Sequence, residues 1–135
     1  PACPNSWYDT GAHMTASGTA STTTDTLAFS ITSMPGSQTS LVYQGTGVIN
    51  GGNGATFGDG RRCVGGAVVR FTPHANDASG NSYYPQSGNP SISVMGGVPL
   101  MGGTFYYQTW YRDPAVYCFG ATTNLSNALA VTWTP

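Results

Sequence analysis

Residues 104–113, Thr-Phe-Tyr-Tyr-Gln-Thr-Trp-Tyr-Arg-Asp, carry five aromatic side chains in ten positions, and the two-residue alternation predicts a strand with two unlike faces. Phe105, Tyr107 and Tyr111 fall on one face, and Tyr106, Trp110 and Arg112 on the other. One face belongs in a core. The other turns toward water, a second layer or a partner. Residues 127–134, Asn-Ala-Leu-Ala-Val-Thr-Trp-Thr, answer it as a second strand near the C-terminus.

The rest of the chain has little from which to build surface helices. Its charged residues are four Arg (Arg61, Arg62, Arg70, Arg112) and five Asp (Asp9, Asp25, Asp59, Asp77, Asp113), with no Lys and no Glu. Lys and Glu favour helices, whereas the abundant Thr, Tyr and Val favour strands. At 135 residues the chain is long enough for one domain with its own core. The reading is all-β: a two-sheet sandwich of jelly-roll or Greek-key type with seven or eight short strands over residues 26–135. It is preceded by an arm or extended segment, residues 1–25, which either forms an edge strand and loop of the same domain or pairs with another subunit.

Within the sandwich, the alternation of Thr26–Thr32 and the run Thr39–Ile49, joined through Pro35-Gly36-Ser37, predict a hairpin. The Gly- and Asn-rich residues 50–60 read as a loop. Cys63–Phe71 reads as a strand with a bulge at Gly65-Gly66. Residues 72–89 read as a polar excursion, and Ser91–Val94 and Val116–Phe119 as short strands.

A net charge of -1, with Arg61-Arg62 as the longest cationic run, argues against nucleic acid. No apolar run approaches a membrane span, so membrane insertion is not expected either. Weak charge repulsion on a Ser-, Thr-, Asn- and Gly-rich surface favours self-association. The three cysteines, Cys3, Cys63 and Cys118, lack a C-x-x-C spacing, which argues against zinc and a thioredoxin-type pair. Of three disulfide pairings, Cys63 with Cys118 is favoured because both lie beside predicted strands, and Cys3 is left inert or as an intermolecular thiol; the alternative is three reduced, buried thiols.

No catalytic site is expected. G-x-S-x-G and H-E-x-x-H are absent, and His74-Ala75-Asn76-Asp77 reads as solvated loop rather than a triad fragment. No cofactor is implied. The one candidate metal ligand is Asp59, in Gly58-Asp59-Gly60, where an Asp closing its own turn is the simpler reading. Aromatic rings remain as the functional signal. Trp7, Tyr8, Tyr83, Tyr84, Tyr106 and Trp110, with Arg112, are the candidate contacts for a ligand or partner, because Trp and Tyr faces stack on sugars. Asn124-Leu125-Ser126 is a glycosylation sequon.

Gly58–Gly66, Ser91–Val94, Tyr107–Asp113, Cys118 and Asn124–Trp133 together resemble a β-rich module found at the C-terminal end of large secreted bacterial proteins, over roughly residues 41–133. The resemblance implies an extracellular, non-catalytic accessory role, and its cysteine pattern agrees with pairing Cys63 to Cys118. The resulting expectation is a secreted or cell-surface structural or adhesive subunit that contacts copies of itself or a cell-surface protein. The alternative is a carbohydrate-binding module whose partner is a polysaccharide.

Overall fold

The computed structural model describes residues 2–115 and 120–135. The aromatic stretch is strand β11 (Gly103–Arg112), and it lies inside an antiparallel sheet. On one side it pairs with β12 (Thr123–Trp133), and on the other with β3 (Thr39–Gly45), whose far edge is met by the two-residue strands β8 (Val69–Arg70) and β9 (His74–Ala75). Tyr107 stands opposite Leu129 on one neighbour and Gln44 on the other, and the β12 register shifts between Gln108 and Trp110.

A second, three-stranded sheet orders β1 (His13–Ser17), β2 (Ala28–Thr32) and β10 (Ser82–Tyr84) with β2 in the middle. Every pairing among these strands is antiparallel. Between the two sheets lies the main core. Met14, Phe29 and Ile31 meet Val42, Phe71, Tyr107, Tyr111 and Trp133 there, all nearly inaccessible to solvent. Burying side chains of this size contributes about 1.5–3 kcal/mol each, so the alternation read from the sequence is also the main source of stability. The protein is therefore an all-β sandwich.

The core contains polar atoms, and they are partnered. Trp133 Nε1 donates to Tyr107 Oη at 2.9 Å, Tyr107 Oη donates to Gln44 Oε1 at 2.8 Å, and Gln44 Nε2 donates to the Gly96 carbonyl at 2.9 Å. That chain ties β11, β12 and β3 to helix α1 (Ile92–Gly96). Leaving such a group unpaired costs about 1–3 kcal/mol.

The N-terminal residues belong to this body. Besides β1, Asn5 Nδ2 donates to Tyr111 Oη at 3.0 Å, and the Asp113 carboxylate accepts from the Ser6 amide and hydroxyl. Ser21 forms a parallel bridge to Thr134. The Asn127 side chain accepts from Met14 N at 2.7 Å and donates to Met14 O at 3.0 Å, so an amide group caps the outer edge of β1.

Several local expectations are corrected. β2 and β3 form no hairpin, since they lie in different sheets and the turn between them carries the chain from one layer to the other. Residues 50–60 are not plain loop. A 3-10 turn at Asn50–Gly52 leads into a hairpin of β5 (Ala55–Phe57) and β6 (Gly60–Arg62). Residues 63–71 break into β7 (Val64–Gly65), which pairs with β4 (Gly47–Val48), and β8. Gly66, at φ 77, and Gly45, whose place a Cβ would contest with the Gly65 carbonyl, explain the break. Residues 91–94 enter α1 instead of a strand. Ser93 N is held by Asp25 Oδ2 at 2.8 Å, and Gly97 ends the helix at φ 63. The strand expected at Val116–Phe119 lies outside the described residues. The described strands number twelve rather than seven or eight, because four of them are two residues long.

Candidate functional site

The second face of β11 is the functionally informative one. Tyr106 and Trp110 pack with Tyr43, Leu41, Val64, Leu125 and Ala128 in a smaller apolar cluster on the side of the large sheet away from the main core. The β5–β6 hairpin, with β7 after it, lies alongside but does not close over it. Leu41, Tyr43, Phe57, Arg62, Val68, Arg70, Trp110 and Leu125 line an open cleft there. The surface continues past Trp110 to Arg112, Thr39 and Thr123.

The rings in this cleft are held by one another and by guanidinium groups. Phe57 meets Trp110 edge-on, with centroids 5.8 Å apart at 73°. Arg62 Cζ lies 5.8 Å from the Tyr43 ring and 5.8 Å from the Phe57 ring, and Arg70 Cζ lies 5.6 Å from the Trp110 ring. Each is a cation over an aromatic face, an attraction of about 0.5–1 kcal/mol at exposed sites. Tyr43 Oη donates to Gln108 Oε1 at 2.6 Å, and burial pushes its phenol well above the usual tyrosine range although Arg62 opposes the shift. Trp110 Nε1 is buried and has no hydrogen-bond partner among the described residues.

Three of the four arginines therefore stand on one face around Trp110, while four of the five aspartates are occupied elsewhere. Asp25 accepts from the Leu27 and Ser93 amides, Asp59 from the Ala121 amide, Asp77 from the Ser79 and Asn81 amides, and Asp113 from Ser6. No carboxylate lines the cleft among the described residues.

The other candidate residues are scattered. Trp7 and Tyr8 form a tilted ring pair with centroids 6.4 Å apart, and Tyr8 Oη donates to the Ser79 carbonyl. Tyr83 projects alone from the edge strand of the small sheet, 58% exposed. Tyr84 is a correction: it is buried in the main core against Phe71, because β10 turns its alternate side chains inward and only Tyr83 faces out. Arg62 and Arg70, absent from the sequence-based candidates, join the site through the cations' positions over Tyr43, Phe57 and Trp110. Cation and ring belong to different strands, so sequence adjacency gave no signal.

His74 Nε2 shares a hydrogen bond with Asn89 Oδ1 at 2.7 Å, and the Asp77 carboxylate is taken up by its own turn, so the two do not form a base and orienter pair. Asp59 bonds Ala121 across to another loop instead of closing its own turn. Among the described residues no three His, Cys, Asp or Glu side chains converge as metal ligands, and no helix is long and apolar enough to cross a membrane. The expected partner of Cys63, Cys118, lies outside the described residues. Cys3 and Cys63 are not joined to each other. The sequon is unavailable to a glycan in the folded chain, because Asn124 is fully buried and donates to the Pro4 carbonyl at 2.9 Å. Comparison with protein-family models, curated proteins and solved structures gives no match.

Proposed function

We propose that this β-sandwich is an extracellular, non-catalytic binding module that takes a saccharide on the Trp110 face of its large sheet. One observation carries the reading: an open cleft that presents the rings of Trp110 and Phe57 with the guanidinium groups of Arg62 and Arg70 in its walls. Sugars offer ring C–H faces to aromatic side chains and hydroxyl oxygens to donors, and a site with a few polar groups among apolar walls suits both. Trp110→Ala should weaken retention on an insoluble polysaccharide by about tenfold, the equivalent of ~1.4 kcal/mol. Affinity electrophoresis across a panel of polysaccharides measures it. Unchanged retention in the variant, or no retention by the wild type on any member, overturns the reading.

A second reading, self-association, is favoured by a different surface. Val94, Leu100 and Met101 are 69%, 76% and 83% exposed at the α1 end of the sandwich, and exposed apolar clusters mark contact sites. Concentration-dependent sedimentation that Leu100→Ser abolishes is its test.

A further inference from the structure

The charge of the cleft bears on what kind of saccharide it takes. We infer that the ligand is acidic, a uronate-bearing glycan whose carboxylate is received by Arg62 and Arg70 while its ring lies against Trp110. This rests on the binding-module reading above and adds a substrate class to it.

The chain carries a net charge of -1, yet Arg62, Arg70 and Arg112 surround one tryptophan. For a neutral sugar, that concentration of cations has no use. No carboxylate lines the cleft beside them among the described residues: Arg62 donates its Nε to the Val64 carbonyl at 3.1 Å and lies over the Tyr43 and Phe57 rings, and Arg70 and Arg112 are exposed. Arg61, by contrast, points its guanidinium into its own loop, donating to the Asn53 and Gly54 carbonyls, and does not line the cleft. The guanidinium fork matches a carboxylate in two parallel hydrogen bonds. Aromatic faces under Arg62 and Arg70 hold both forks over the cleft without neutralising them. A pyranose uronate has the two features the site is built for, an apolar ring face and a planar anion at its edge.

Affinity electrophoresis and calorimetry with polygalacturonate and alginate, against neutral xylan and dextran and against a sulfated glycan, test the assignment. Wild type should bind the polyuronates and lose affinity as salt is raised, because exposed ion pairs are screened. Arg70→Gln should weaken polyuronate binding about tenfold, with the thermal unfolding midpoint lowered by no more than a few degrees, the loss of the contact with the Trp110 ring. Arg62→Gln should act in the same direction. Arg61→Gln should leave affinity unaltered. Equal binding of neutral glycans with no loss in Arg70→Gln overturns the acidic assignment and leaves the module reading standing. Binding confined to the sulfated glycan overturns the carboxylate. Absence of binding to every saccharide overturns both.

Discussion

Tyrosine is the residue that this protein uses most deliberately. Tyr43, Tyr107 and Tyr111 sit in or beside the two apolar clusters with their hydroxyls bonded to Gln108, Gln44 and Asn5. An aromatic body fills volume and a single polar tip fixes register, which suits a core shared by two sheets. Burial holds all three phenols above the ordinary tyrosine range, overcoming the opposing hydrogen bonds and, for Tyr43, the nearby Arg62. The pH consequence has a definite sign. In the unfolded chain these phenols ionise near pH 10, while in the folded chain they stay protonated to higher pH, so the folded state binds more protons above pH 10. Stability is therefore fully present below pH 10 and falls as pH rises, at about 1.4 kcal/mol per pH unit for each phenol. Absorbance at the phenolate band, followed with circular dichroism, measures this. Tyr43, Tyr107 and Tyr111 should ionise only as the fold is lost. Smooth titration of all eight tyrosines with an intact fold would contradict this account.

At the scale of elements, the sheets are held as much by side chains at their edges as by their ladders. β1 has only β2 beside it in its sheet, and Asn127 of β12 supplies the missing donor and acceptor to Met14. Asn127→Ala should cost about 1–3 kcal/mol, since it leaves two backbone groups without protein partners. Denaturant titration measures the loss, and hydrogen exchange should show the Met14 amide deprotected while Tyr107 remains slow. What the sequence made legible follows the same division. Both faces of β11, the all-β class and the alternating β2 were readable because a two-residue period needs only local information. The β2–β3 hairpin was misread because a Pro-Gly turn looks alike whether it joins strands of one sheet or carries the chain between two. The helix Ile92–Gly96 was misread because five residues span little more than one turn, too few to display a 3.6-residue period. At the site, Trp110 is visible in the sequence and the role of Arg62 and Arg70 is not, since Arg70 reaches the indole only after β8 is laid beside β3, and Arg62 joins the cleft only through the β5–β6 hairpin.

At the scale of the whole molecule, the two candidate surfaces lie at different places, and this makes them separable. Leu100 and Met101 sit in the turn just before β11 begins, and Trp110 is seven residues along that strand from Gly103. At about 3.4 Å per residue, more than 20 Å of rigid sheet lies between them, and sites that far apart without shared partners behave additively. Both surfaces are fixed in place by the same framework. The turn is braced by Thr22 Oγ1 on the Leu100 carbonyl at 2.7 Å, and the cleft by the ring packing of Phe57 on Trp110. A substitution at one surface should therefore leave the other intact. Sedimentation velocity and polyuronate affinity measured on the same two variants give a crossed result. Leu100→Ser should remove any concentration-dependent association and leave affinity within twofold, while Arg70→Gln should do the reverse. If Leu100→Ser lowers saccharide retention as much as Arg70→Gln does, the cleft acts only in an assembled form, and the sandwich is a subunit whose binding depends on avidity rather than a module that binds alone.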